Sequence, residues 1–485
     1  MSNATSKKDK KNKGHTEESE KSFQHNLDNL NNMLKRFEKI SEVSPTFCTA
    51  KWLQSTVYLH TGLTHSCHHP PAHKIPLDEI ENSPAALHNT KYKKEQRQKM
   101  LEGERPNECH YCWNIEDLPS ENMSDRMFKS TNTQWSFQHL EKIKSAGSKS
   151  DLNPTYLEVA FDNTCNFKCM YCSPDISTTW MDEILQNGPY PTSVKTGNLD
   201  WLKEQDRLPI RHDQHNPYVE AFWKWWPQLY KDLNTFRITG GEPLLNQNTW
   251  KVLEFVNNNP HSEFNLAINT NMGIQSKWIT KFCQVSNSIA DRINSLDIYT
   301  SCEAQGEQAE YIRFGLNYKS FMDNNEYLLS NAYEQNRLHF MITFNALSIT
   351  SFLSFLADIR KLRRKFKPYK MLDRVSLMVS YLQWPQFQSV LVLPKEIRQS
   401  YSAQFLNYAQ ENSIESGPDG FLYLEEVEQI KRLSQFMLQE LDENDLYLRR
   451  KDFGLFYQEY DKRKKTNFSK VFPELSEFYG KCLKL

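Results

Sequence analysis

The stretch Tyr156-Leu-Glu-Val-Ala-Phe-Asp-Asn-Thr-Cys-Asn-Phe-Lys-Cys-Met-Tyr-Cys172 decides how the rest of this chain is read. Its opening, Tyr156–Phe161, is rich in β-formers and predicts a strand. The strand runs into Cys165, Cys169 and Cys172, a C-x3-C-x2-C run that packs an odd number of thiols into eight residues. A structural zinc site closes with four ligands, and a purely electron-carrying [4Fe–4S] cluster normally has four cysteines. Three thiolates in one loop suit three irons of a cubane and leave the fourth open to a small-molecule ligand.

The next informative run is Arg237-Ile-Thr-Gly-Gly-Glu-Pro-Leu-Leu245, about 70 residues further on. It predicts a strand that stops at Gly240-Gly241, where backbone must approach a partner closely, and Glu242 there can accept a hydrogen bond from an ammonium group. Further strand-like runs follow. Glu263–Asn271 ends in Asn269 and Asn271, and Ser295–Ser301 is followed twelve residues later by Arg313. Leu338–Ala346 carries Asn345 near its end.

In this order the motifs resemble those of the radical S-adenosylmethionine (radical SAM) enzymes. The resemblance implies an α/β fold, a partial (β/α)6 barrel of the TIM type with ligands at strand C-terminal ends. It implies that the methionine moiety of SAM chelates the open iron, and that one electron cleaves the sulfonium to a 5′-deoxyadenosyl radical. Cys165, Cys169 and Cys172 become the iron ligands, and Tyr171 lies beside the adenine. Gly240, Gly241 and Glu242 bind the amino group. Asn269 and Asn271 meet ribose or carboxylate, Ser301 and Arg313 follow the family's serine-then-arginine pattern with the arginine on the SAM carboxylate, and Asn345 reaches the cofactor. The family usually has Asp-Gly shortly after that serine, whereas this chain has Cys302-Glu303.

With 485 residues the chain exceeds one ordinary domain. A net charge of −1 argues against bulk nucleic-acid binding, and no apolar run approaches the roughly 18 residues of a membrane span. Ten cysteines without a signal peptide read as metal thiolates of a reducing, cytoplasmic compartment. Residues 1–22 are charged and polar and predict a disordered tail, followed by a helix over Phe23–Phe37. A Cys- and His-rich module is expected over 45–118, a linker near 119–152, the barrel over 153–390 and helices over 394–485. Barrel strands are expected near 156–161, 235–239, 263–269, 295–300, 338–345 and 375–382.

In the N-terminal module, Trp52–Leu59 is β-rich and Gly62 offers a turn that brings Cys48 and Cys67 together, with Cys109 and Cys112 completing four thiols. This C-x13-G-x4-C pattern, followed by a C-x2-C pair, resembles the twitch and SPASM modules of radical SAM enzymes. It implies one auxiliary [4Fe–4S] cluster, here preceding the barrel rather than following it. A four-cysteine zinc site is the alternative, and His60, His65, His68, His69, His73 and His110 keep mixed ligation open. The resemblance further implies an electron donor such as flavodoxin or ferredoxin, and the twitch-like module points to a peptide or protein side chain as substrate, with a nucleobase or a small metabolite as open alternatives. A non-catalytic iron–sulfur or zinc scaffold is the competing reading, and the Gly-Gly-Glu motif separates the two.

Overall fold

The computed structural model describes residues 27–119, 122–195, 197–211, 213–366, 368 and 373–485. The tail expected at 1–22 lies outside them, and the first helix occupies residues 27–41 of the described chain. The chain divides into two compact units. The first holds the described residues up to Val57, then Thr64–Leu157 and Glu220–Asn234; the second holds Tyr58–Leu63, Glu158–Val219 and Thr235–Leu485.

Strands Gln54–Tyr58 and Leu63–His65 are neighbours, with Gly62 at φ +67° in the turn between them. Trp52, expected in the strand, instead sits in the helical turn Ala50–Leu53 and is fully buried. The described residues 122–152 of the expected linker are packed structure. They form the helices Asp125–Thr131 and Leu140–Ala146, and Trp135, Leu140, Ile143 and Leu152 join the same core as Phe47 and Trp52. Asp125–Thr131 buries Arg126, Ser130 and Thr131 and no apolar side chain, and Leu140–Ala146 buries only Leu140 and Ile143, so no long 3.6-residue apolar stripe announces either helix in the sequence.

The second unit is built on six strands lying side by side in chain order: β1 (Tyr156–Ala160, entering the unit at Glu158), β2 (Thr235–Thr239), β3 (His261–Thr270), β4 (Ile293–Ser301), β5 (Arg337–Phe344) and β6 (Val375–Tyr381). Every pair from β2 to β6 is parallel. Parallel neighbours need crossovers, and helices α1 (Thr178–Asn187), α2 (Gln247–Asn258), α3 (Ser276–Ile289), α4 (Tyr318–Asn331) and α5 (Phe352–Lys365) lie between the strands in sequence. Among the described residues β6 pairs with β5 alone, so the sheet is open at that edge.

Burial alternates strictly along β2 and β5 and over the C-terminal part of β4. Phe236, Ile238, Leu266, Ile268, Leu338 and Phe340 are 0% exposed, and each contributes about 1.5–3 kcal/mol by leaving water. Phe340 meets Phe321 of α4 and Phe355 of α5 edge-on at 6.3 and 5.8 Å, so this face packs on the helices. Most of the alternate residues of the same strands are polar and half-buried, with Met341 and the buried Ala267 as apolar exceptions. Beyond β6 the unit continues as helices, among them Lys395–Glu411, Leu424–Met437 and Glu443–Lys464.

Candidate metal and cofactor site

The loops that leave the C-terminal ends of β1 to β4 meet at one place, the end of a parallel sheet where ligands generally bind. The loop after β1 carries Cys165, Cys169 and Cys172. Its backbone is pinned from several directions: Ser177 and Thr179 hydroxyls donate to the Phe167 carbonyl at 2.8 and 2.7 Å, and Trp180 Nε1 donates to that of Cys169 at 2.9 Å. Lys168–Cys169 also pairs antiparallel with Arg313–Phe314 after β4. Phe167 is 1% exposed and wedged so tightly that a Cβ on Gly273 would lie 2.0 Å from its ring.

Gly240 and Gly241 seat against this same loop. Gly240 has φ +112°, and a Cβ there would lie 2.7 Å from the Asp162 carbonyl oxygen. On Gly241 it would lie 2.2 Å from that of Thr164. Glu242 N then donates to the Thr164 oxygen at 2.6 Å. The close approach foreseen from the glycine pair is thus to the backbone of the cysteine loop.

Glu242 is 1% exposed. Its Oε1 accepts from Thr270 Oγ1 (2.8 Å) and Leu244 N (3.0 Å), and its Oε2 accepts from Asn271 N (2.6 Å). Burial outweighs these donors and pushes its pKa up to about 7. A carboxylate offers about four acceptor positions, so one remains on Oε2. Asn271 donates from Nδ2 to Asn166 Oδ1 at 2.8 Å and faces Cys165 Sγ at 3.9 Å.

Arg313 reaches a different cysteine of the loop, with Nη1 3.7 Å from Cys169 Sγ. It is not free for an incoming carboxylate. Glu303, the residue that departs from the family's Asp-Gly, accepts from Arg313 Nε at 3.1 Å and Nη2 at 2.6 Å, and both side chains are buried. Tyr171, expected beside adenine, joins them: its hydroxyl accepts from Arg313 Nη2 and donates to Glu303 Oε2 at 3.2 Å.

Asn269 sits on the polar face of the sheet, accepting from Arg237 Nε at 2.9 Å, and Ser301 lies at the end of β4 opposite Met341. Asn345 is 0% exposed and spent on its own turn, where Oδ1 accepts from Leu347 N at 3.0 Å. Cys302 is fully buried and points Sγ at the Ala304 carbonyl, 3.3 Å away.

The three loop thiols share one electrostatic neighbourhood. Burial first, and then repulsion from Cys169, push Cys165 up to about 12, and Cys172 is raised by burial and by both other cysteines. Cys169 is likewise raised by burial, against the pull of Arg313. Thiols placed this way are poor free thiolates and become stable anions only beside a cation, which is what iron or another soft metal supplies. Among the described residues no three His, Cys, Asp or Glu side chains are gathered tightly enough to hold a single metal ion. The fit rests instead on the donor set, its burial and the motifs that brace it.

In the first unit Cys48, Cys67, Cys109 and Cys112 all line one cavity, together with Lys51 and Lys129. Burial is the largest cause raising Cys67, Cys109 (to about 12) and Cys112 (to about 11), with repulsion from Cys48 adding to each. Four thiolates with one metal centre carry excess negative charge; Lys51 pulls Cys109 back down and Lys129 does the same for Cys67, each lysine being paired as well, with Glu108 and Asp125. Of the histidines weighed for mixed ligation, His69 lines the cavity, and its Nε2 is committed to Asp125 Oδ2 at 2.7 Å. His65, His68 and His73 contact the Cys67 carbonyl, Gln54 and Thr90; His60 approaches the Ala160 carbonyl, and His110 is exposed.

Two features escaped the sequence reading. An aromatic cavity of about 250 Å³ adjoins Cys172, lined among others by Trp180, Tyr190, Trp201, Trp384 and Phe456. The other is the charged face of the sheet, whose signal was the polar half of the strand alternation. No protein-family model matches the chain, and no curated protein is significantly similar to it.

Proposed function

We propose that this protein is a radical SAM enzyme, with the cofactor pocket at the strand ends of the second unit and an auxiliary iron–sulfur cluster in the first. The observation that carries the reading is convergence: segments far apart in sequence, each chosen for the same motif set, brace one three-cysteine loop. Gly240 and Gly241 touch its backbone, Asn271 faces Cys165, and Arg313 faces Cys169. When bound, a [4Fe–4S] cluster with SAM supplies an electron to the sulfonium and yields the 5′-deoxyadenosyl radical that abstracts hydrogen from substrate.

The chain's own part is binding and exclusion. Cys165, Cys169 and Cys172 would hold the cluster, and Glu242 offers its remaining lone pair to the amino group of SAM. Arg313 holds Glu303 and Tyr171 against the loop. A curled, barrel-like sheet is supported by Arg237 of β2, whose Nη2 comes within 3.6 Å of Met341 Sδ on β5. Three strand spacings of about 4.8 Å separate these strands, a gap most simply bridged if the sheet curves toward its polar face.

A peptide or protein side chain is the proposed substrate, with flavodoxin or ferredoxin as electron donor. The scaffold reading draws on the Arg313–Glu303 pair, which a purely structural protein would also keep. Anaerobic reconstitution followed by dithionite separates the two: the enzyme converts SAM to 5′-deoxyadenosine and methionine, whereas a protein that loads iron yet leaves SAM intact is a scaffold.

A further inference from the structure

Parallel sheets are normally apolar on both faces, because helices cover both. In the second unit one face follows that rule, but Glu158, Arg237, Asn269, Asp297, Tyr299 and His339 occupy the other and remain half-buried. Charges on such a face are costly unless paired, so their pairing shows which of them the fold uses for itself. Asp297 is satisfied. Arg337 donates to it at 2.6 and 2.8 Å, and His339 Nε2 stands 3.3 Å away. His339 Nδ1 lies 2.5 Å from Ser376 Oγ, and its ring stacks on Tyr299 at 4.6 Å.

Arg237 is different. Its Nε donates to Asn269 Oδ1 at 2.9 Å, but its nearest carboxylate, Glu158, is 3.7 Å away. Its Nη2 faces the thioether of Met341 at 3.6 Å, a weak acceptor. The Tyr299 ring lies 4.1 Å from the guanidinium centre and fixes its plane. The side chain is only 17% exposed. A guanidinium has five donors, and here one strong acceptor is engaged among the described residues.

We infer that this polar face receives a substrate bearing a carboxylate, and that Arg237 grips it through its two Nη groups. The planar fork matches a carboxylate bidentately, and Tyr299 and Asn269 hold it ready. The open Nη donors of Arg237 call for a planar acceptor, and charge limits its class. Arg237 and Arg337 are already matched in number by Glu158 and Asp297, so the face has no surplus positive charge for the dianion of a phosphate ester, and a singly charged carboxylate is the better fit. In a peptide substrate the group is an Asp or Glu side chain or the C-terminal carboxylate. The inference rests on the proposed function for the fate of the bound molecule, not for its capture.

The test is binding to the full-length, anaerobically reconstituted protein before reduction and without SAM, read by ligand-observed NMR, which reaches millimolar affinities. The probes are the N-acetyl amides of glutamate and aspartate against those of glutamine and asparagine. The acids should bind at least 10-fold more tightly than the amides. Arg237→Gln should erase that preference, and Arg237→Lys should retain part of it. Equal binding of acid and amide by the parent protein, a comparison that needs no variant, overturns the proposal. So does an acid preference that survives in a folded Arg237→Gln protein. Inorganic phosphate that displaces the acid probes at equal concentration replaces the carboxylate by a phosphate and overturns the class. Acid preference in a protein that never cleaves SAM leaves the site standing and ends the radical SAM reading, whereas SAM cleavage without acid preference does the reverse.

Discussion

Replacing Gly241 by Ala is the sharpest perturbation of the candidate site. The added methyl would lie 2.2 Å from the Thr164 oxygen, 2.6 Å from the Thr164 carbonyl carbon and 2.8 Å from that of Asn163. These are backbone atoms and cannot swing aside as a side chain could. Relief requires β2 and the cysteine loop to separate, at a cost of about 1–3 kcal/mol for overpacking. Separation also stretches the 2.6 Å bond from Glu242 N to Thr164 O, a further loss of about 1 kcal/mol. The sum, about 2–4 kcal/mol, should lower the apparent melting temperature by several degrees. Reconstituted iron should fall with it, because the displaced segment begins at Asn163 and Thr164, next to Cys165. Gly480→Ala is the control: no atom lies within 4 Å of its would-be Cβ, and it sits in the helix Ser476–Cys482. Alanine there should leave stability unchanged or raise it by about 0.5–1 kcal/mol. Differential scanning fluorimetry and iron analysis of both variants, prepared side by side, decide the matter. A Gly241→Ala protein that melts with the parent and loads the same iron would refute the packing argument.

Joint replacement of Cys165, Cys169 and Cys172 by Ala should halve the iron of reconstituted protein and abolish SAM cleavage; unchanged iron sinks the assignment of the loop. In that triple variant, iron held by Cys48, Cys67, Cys109 and Cys112 should absorb at about 400 nm as iron–thiolate cubanes do, while a colourless protein holding one zinc moves the site to the structural reading. Glu303→Gln removes one partner of a buried ion pair and should cost about 3–5 kcal/mol in chemical denaturation, and a change below 1 kcal/mol would mean that Arg313 is satisfied elsewhere. Glu242 should make the cluster-free protein sensitive to pH. Its folded pKa of about 7 stands above its ordinary 4.5, so the folded chain keeps a proton that the unfolded chain releases. Stability therefore falls as pH rises from 4.5 to 7, by a few kcal/mol in all. Glu242→Gln should flatten that slope, and an unchanged slope assigns the effect to another group.

The six strands were legible as short β-rich runs, and three of them, β2, β3 and β5, stop at a Gly or Asn. Thr235–Thr239 matches the expected 235–239 at both ends, and the other five agree within two residues. The convergence of the Gly-Gly-Glu run on the cysteine loop was legible as a motif, though not its mechanical form, since spacing cannot say whether a glycine makes room for a ligand or for backbone. Arg313 was placed beside the loop correctly, but its pairing with Glu303 could be read only as a departure from a pattern. The helices of 119–152 were missed because packing, rather than propensity or periodicity, holds them. Arg237 was quoted as part of a strand and passed over, since a lone cation in a strand gives no sign of whether its partner is a neighbouring carboxylate or a guest.

The two-residue ribbon that ties Lys168–Cys169 to Arg313–Phe314 sets a timetable for biosynthesis. Cys169 and Arg313 are 144 positions apart. At about 5–20 residues per second, a ribosome needs roughly 7–30 s to cover that distance. Throughout that interval the three thiols lack the strand that orders their loop, and Gly240, Gly241 and Glu242 arrive partway through it. Loading of a cluster into the finished geometry can thus begin only once the segment through Phe314 has emerged. Until then the nascent thiols depend on the reducing power of their surroundings, so oxidative stress during translation should lower the yield of loaded protein more than the same stress applied to the finished chain.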